Sequence, residues 1–186
     1  MDSDIEKWLK IDGQEFLKSI GIKEKDIVLD FGCGEGHYAI PLAKVVGENG
    51  RVYALDEDRQ SLNRLKQIIN QEDLKNIKLL QEDTKVPLKD NSVDVALCYD
   101  VIHYEKNREK IYKEIYRILK KDGFLSLYPK HYKKDYPLME LASLELEDVI
   151  REIEKAGFIL KGEFLKRCIH DNYYNECKIL NFMKKL

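Results

Sequence analysis

The chain has 186 residues, 44% of them hydrophobic and 35% charged, with 32 basic against 34 acidic residues and a formal net charge of -2. That length suits one domain with a substantial core, and the interspersed charges argue against a dedicated nucleic-acid or membrane surface. No apolar run reaches the roughly 18 residues of a membrane span, and the opening MDSDIEKWLK is too charged for a secretory signal, so a cytoplasmic protein with reduced thiols is expected.

In chain order, residues 5–20 set Ile5, Trp8, Leu9, Phe16, Leu17 and Ile20 among charged residues. This predicts one amphipathic helix, or two short ones broken near Asp12-Gly13. We expect residues 1–22 to form a helical lid over the mouth of the site. The apolar run Ile27–Phe31 reads as a strand, and DFGCGEGHY (Asp30 to Tyr38) turns it into a helix that starts near Ala39. Further strands are predicted at Arg51–Asp56, Ile77–Gln81, Val93–Tyr99 and 123–128. The strongest helix is predicted at 107–120, with Ile111, Ile115, Ile118 and Leu119 on one face and Lys121-Asp122-Gly123 as its stop. A helix over 145–156 ends at Gly157, and apolar runs at 158–169 and 176–183 flank the polar stretch 170–175 as a terminal hairpin. Alternating strands and helices without a linker predict an α/β fold, a parallel sheet wrapped by helices.

The glycine turn is the first candidate site. Glycines at a strand-to-helix turn let a ligand approach the main chain. The spacing G-x-G-x-G, with His37 where a dinucleotide fingerprint has its third glycine, disfavours a nicotinamide dinucleotide. No Gly-Lys-Ser/Thr follows, which excludes the phosphate loop of nucleoside triphosphatases. Asp30 just before the glycines would repel a pyrophosphate and favour a ligand that carries cationic groups. Asp56 ends the second predicted strand, at the carboxyl edge where open α/β sheets bind ligands, and suits the two hydroxyls of a ribose. Asp83-Thr84 follows the third strand at the same rim.

With these residues the sequence resembles the class I S-adenosylmethionine-dependent methyltransferases, in particular the small-molecule group of ubiquinone-biosynthesis-like enzymes. The resemblance covers about 26–129 and rests on DFGCGEG, ALDED, EDT, SVDVALCYDVIHY and LKKDGFLSLY in that order. It implies a Rossmann-like three-layer sandwich with a seven-stranded, mostly parallel sheet of order 3-2-1-4-5-7-6, strand 7 antiparallel. It also implies one domain: the lid, a cofactor-binding core at 26–129, and a substrate-side segment with the hairpin at 130–186. By this resemblance Asp30, Gly32, Cys33, Gly34, Gly36, Asp56, Glu57, Asp83, Thr84 and Tyr99 bind S-adenosyl-L-methionine. Glu57 departs from the apolar residue that relatives often place against adenine.

The function expected is in-line methyl transfer, with a small molecule as the acceptor. The strand-4 signature of amino-group methylases of nucleic acids is absent and no basic block appends, so nucleic acid is disfavoured. His103, Tyr104 and His131 are the candidates for a base, if the acceptor must lose a proton, and 130–144 is where such a fold lines its acceptor pocket, with Tyr132, Tyr136 and Met139 as walls. Cys168, His170 and Cys177 fit no common zinc spacing, so no metal site is expected. Two alternatives stay open: a non-catalytic S-adenosylmethionine-binding regulatory or scaffold subunit, and a nicotinamide-dinucleotide-binding protein. Neither the acceptor nor the oligomeric state is legible from the residues.

Overall fold

The structure, a computed structural model, describes residues 3–185. Seven strands form one sheet in the order β3-β2-β1-β4-β5-β7-β6. β1 (Ile27–Phe31), β2 (Arg51–Asp56), β3 (Ile77–Gln81) and β4 (Val93–Tyr99) occupy the ranges that the apolar runs predict, and with β5 (Leu119–Tyr128) they pair in parallel. β7 (Tyr173–Lys184) lies between β5 and β6 (Phe158–His170), antiparallel to both. The order and the reversed strand are those implied by the resemblance. Val28 and Leu29 point to opposite faces and both are fully buried, because helices cover each side of a parallel sheet.

One face carries α1 (Asp4–Lys7), α2 (Gly13–Ser19), α3 (Ala39–Val46) and α4 (Arg59–Gln71), and the other carries α5 (Arg108–Ile118) and α6 (Leu146–Lys155). Asp58 starts α4 by accepting from the backbone N–H groups of Gln60 and Ser61, each at 3.0 Å. A reciprocal pair, Glu145 and Asp148, caps α6. No helix among the described residues is long and apolar enough to cross a membrane.

One open alternative is decided and three expectations need correction. Of the two readings of the N-terminal segment the single helix holds over residues 4–19: α1 runs through a π-helical turn, Trp8–Asp12, into α2. A Cβ on Gly13 would lie 2.8 Å from Pro41 Cγ of α3, so this glycine allows two helices to touch. Leu119 leaves the face of α5 and opens β5, where it pairs with Val93 before an irregularity in register. The terminal turn is shorter than 170–175, since His170 pairs with Tyr173 around Asp171-Asn172. Both turn residues have positive φ, 49° and 67°, as a two-residue hairpin turn requires. Finally, Cys168 and Cys177 are joined in a disulfide with Cα atoms 5.9 Å apart, contrary to the expectation of reduced thiols. Cys168 pairs with Asn175 and Cys177 with Lys166, so the two lie diagonally on one face, within reach of a bridge.

Candidate functional site

β1 delivers Asp30 and the glycine turn to the carboxyl edge of the sheet. The turn spends four main-chain donors on itself and on the end of β2. Gly32 and Cys33 N–H donate to the Leu55 carbonyl at 2.8 and 2.9 Å, and Gly36 N–H donates to the Cys33 carbonyl at 2.9 Å. Gly34 N–H donates to Asp56 Oδ2 at 2.7 Å. A phosphate cradle needs such donors unspent, and here they are paired. Gly32 and Gly36 have φ of 75° and 91°, and a Cβ on either would come within 2.3 Å of Val101 or Leu65. Around Gly34 there is open space: an added Cβ would meet nothing within 4 Å.

Asp30 is 2% exposed. The backbone N–H of Ala39, at the start of α3, donates to its carboxylate, while Oδ2 has no partner. Burial first, and the Asp56 carboxylate second, push Asp30 up to about 7. Cys33 is buried and its thiol is driven well above the thiol range by burial and then by Asp30, so it is not a nucleophile.

Beside the turn opens a cavity of about 330 Å³ whose wall includes Asp56, Glu57, Asp58, Asp83, Asp100 and Glu105 and no Lys, Arg or His. Asp56 Oδ1 also accepts from Asp58 N–H at 2.8 Å, but a carboxylate has about four acceptor sites, so two remain. Gly32, Val101 and the exposed Tyr104 line the same cavity. Thr84 and Tyr99 are not part of this wall. Tyr99 is 6% exposed, its hydroxyl shares a 2.7 Å hydrogen bond with Ser126 Oγ, and its ring meets Tyr38 edge-on at 4.9 Å.

The N-terminal helix is bound at the far side of the turn. Trp8 is fully buried, its indole N–H donates to the His37 carbonyl at 2.8 Å, and its ring packs against Phe16, Tyr38 and Tyr174.

A second cluster lies behind Asp100, the residue that follows β4. His103 and His131 stack with centroids 4.4 Å apart, and His131 neighbours His170 at 5.3 Å. His131 Nε2 lies 3.3 Å from Asp100 Oδ1, and His170 Nε2 lies 2.9 Å from Asp100 Oδ2. The Asp100 carboxylate holds the His170 imidazole above its ordinary value, against the opposing effect of burial. His103 is 1% exposed, and burial pushes it down to about 4. Two base candidates, His103 and His131, are thus brought together behind Asp100 and outside the wall of the acid-lined cavity, whereas Tyr104 is part of that wall. Tyr136 and Met139 are 81% and 53% exposed, so 130–144 contributes less side chain than expected. It contributes the His131 side chain and the Tyr136 carbonyl, 2.9 Å from His131 Nδ1. Sequence reasoning singled out neither Asp100 as the centre of this cluster nor His170 as a member, because the partners come from β4, the loop after β5 and the end of β6.

A sheet of this order, with acids ending β1 and β2 around a glycine turn, defines a class I methyltransferase-type cofactor domain. The chain belongs to the methyltransferase domain family, whose pattern matches residues 22–175. It is 36% identical over 112 residues to a demethylmenaquinone methyltransferase of Lactobacillus johnsonii, covering 59% of this chain and 46% of that one. With a sterol 24-C-methyltransferase of Pneumocystis carinii it shares 28% identity over 145 residues, 74% of this chain and 38% of the relative. The chain thus spans about half or less of the length of these curated relatives. Among solved structures, a SAM-dependent methyltransferase from Aquifex aeolicus superposes with a TM-score of 0.78 at 28% identity, covering 96% of this chain and 92% of that one.

Proposed function

We propose that this chain is an S-adenosyl-L-methionine-dependent methyltransferase with a small-molecule acceptor. The observation that carries the reading is the cavity walled by six carboxylates, without a basic side chain, beside a glycine turn whose donors are already paired. Such a wall repels the pyrophosphate of a nicotinamide dinucleotide and suits a nucleoside that carries an ammonium and a sulfonium. The unpartnered, buried Asp30 oxygen beside the turn fits the same ligand.

In this reading Asp30, Gly32, Gly34 and Gly36 hold the amino-acid part, Asp56 the ribose, and Glu57 and Asp83 the base side. Cys33, Thr84 and Tyr99 support the wall from behind. When bound, S-adenosylmethionine supplies a methyl group activated by its sulfonium. The protein supplies alignment and exclusion of water, for which positioning alone is worth roughly 7–11 kcal/mol. Of the expected lid, residues 1 and 2 lie outside the described residues, and residues 3–22 cover the acceptor side, anchored at His37 through Trp8. The relatives, a demethylmenaquinone methyltransferase and a sterol 24-C-methyltransferase, support a small apolar acceptor over a nucleic acid. A cytoplasmic location belongs to the same reading, in a host that keeps intracellular disulfides.

Calorimetry tests the cofactor. S-adenosylhomocysteine is expected to bind with a Kd of about 1–10 μM, roughly 7–8 kcal/mol, and NAD is expected to show no heat. Asp30→Asn is expected to weaken the first ligand at least tenfold while unfolding stays cooperative. Equal affinity for NAD would overturn the reading. Transfer of labelled methyl to quinols and sterols, but not to tRNA, tests the acceptor class. Binding without transfer to anything would leave a scaffold subunit.

A further inference from the structure

The histidine cluster behind Asp100 is not used by the reading above, and it is built in a way that a solvated polar group is not. We propose that Asp100, His131 and His170 form a binding site for one divalent transition-metal ion of the zinc or iron(II) type, at the edge of the cofactor cavity.

One ligand atom from each residue can be chosen so that all lie within 4.8 Å of one another. An ion about 2.0–2.1 Å from each of its ligands in a tetrahedral site sets those ligands about 3.3 Å apart. The separation from Asp100 Oδ1 to His131 Nε2, 3.3 Å, is at that value, and that from Asp100 Oδ2 to His170 Nε2, 2.9 Å, is somewhat shorter. The side chains are 29%, 11% and 9% exposed, which keeps an entry path while removing most competing water. Two imidazoles and one carboxylate are a borderline donor set, suited to zinc, iron(II) or cobalt(II) rather than to magnesium or calcium, which take oxygen.

The tautomer of His131 strengthens the case. Nδ1 lies 2.9 Å from the Tyr136 carbonyl, which can only accept, so Nδ1 carries the hydrogen. In a neutral ring the lone pair is then on Nε2, and it faces an Asp100 oxygen at 3.3 Å. Two acceptors face to face repel unless a cation lies between them. A backbone carbonyl on the distal nitrogen is also the usual way a metal-binding histidine is oriented.

Around this point several buried polar atoms lack hydrogen-bond partners: Asp100 Oδ1, both His103 nitrogens and the Tyr128 hydroxyl. Buried groups are rarely left so, and an ion with its waters would account for the cluster. His103 Nδ1, 3.5 Å from Asp100 Oδ1, is placed to steady the carboxylate. Asp100 and His131 also hold φ of 58° and 76°, conformations disfavoured for side-chain-bearing residues and kept only where the surroundings enforce them. Because Asp100 also lines the cofactor cavity, the ion would meet an acceptor there. Three protein ligands leave a four-coordinate ion one open position, where an oxygen or sulfur donor is held in its deprotonated form.

The test uses the full chain without S-adenosylmethionine, so its result is independent of the cofactor reading. Titration of the metal-stripped protein with Zn2+ by calorimetry, and with Co2+ by visible absorption, is expected to give one site. Asp100→Asn, which keeps a residue tolerant of positive φ, and His170→Ala are each expected to weaken binding at least tenfold. His37→Gln, which removes the histidine outside the cluster, is expected to leave it unchanged. In the unmutated protein, addition of Zn2+ is expected to shift the Nε2 resonances of His131 and His170 but not those of His37, which decides the matter if a variant fails to fold. No binding, several weak equivalent sites, or affinity unchanged in Asp100→Asn would overturn the site, and protons would then be what separates these acceptors.

Discussion

The glycine turn and the histidine cluster sit at the same edge of the sheet and are built on opposite principles. The turn draws its key residues from a nine-residue stretch and from Asp56 on the neighbouring strand, and the main-chain donors of Gly32, Cys33, Gly34 and Gly36 are paired. The cluster gathers Asp100, His103, His131 and His170 from three distant segments, and Asp100 Oδ1 and both His103 nitrogens are unpaired. A local, self-satisfied motif stays rigid whether or not a ligand is present. A cluster assembled from distant segments depends on everything that fixes those segments, so the two regions should respond differently to the same perturbation.

The largest effect is expected where one residue serves both. Trp8 binds the turn through His37 and packs on Tyr174 of the hairpin. Trp8→Ala should lower stability by about 3–5 kcal/mol, the usual range for emptying a fully buried aromatic site, and should weaken both S-adenosylhomocysteine and Zn2+ binding. Urea unfolding with both titrations checks this, and loss of only one ligand would show that the helix serves only one region.

A perturbation confined to the turn comes next. Asp30 is held near 7 in the folded chain against an ordinary value of 3.8. Between those values the folded state keeps a proton that the unfolded chain has released. Stability therefore falls as pH rises from about 4 to 7, by at most on the order of 4 kcal/mol, and is level with respect to this group beyond that. Asp30→Asn should remove this fall. Urea melts of both proteins at several pH values check it, and a wild-type slope that persists in the variant would assign the proton elsewhere.

The smallest of the three is confined to the hairpin. The Cys168–Cys177 bridge closes a short loop with a sequence separation of 9, for which the chain-entropy account gives roughly 2–3 kcal/mol. Cys168 is two residues from His170 on the same strand. Cys168→Ser with Cys177→Ser should therefore reduce Zn2+ affinity several-fold and leave S-adenosylhomocysteine affinity unchanged, read by the same two titrations. An equal loss of both would mean that the regions are mechanically one.

The residues by themselves determined what depends on near neighbours. Apolar-rich runs located β1 to β4 at their observed ends, because strands buried on both faces, as in the middle of this sheet, need mostly apolar sequence, and even the edge strand β3 keeps Ile77, Leu79 and Leu80. The acid, glycines and second acid were legible as one site because strand-end geometry in a parallel sheet brings them together in any such fold. Leu119 was misread because helical periodicity continues across a junction that pairing with Val93 decides. Gly13 read equally as a helix residue or a helix break, because a glycine chosen for helix contact looks the same in sequence as one that breaks a helix. The disulfide required the register of β6 on β7, and the Asp100 cluster required three elements to converge. Both depend on distances across the fold that no spacing along the chain encodes, so only the tertiary structure decided them.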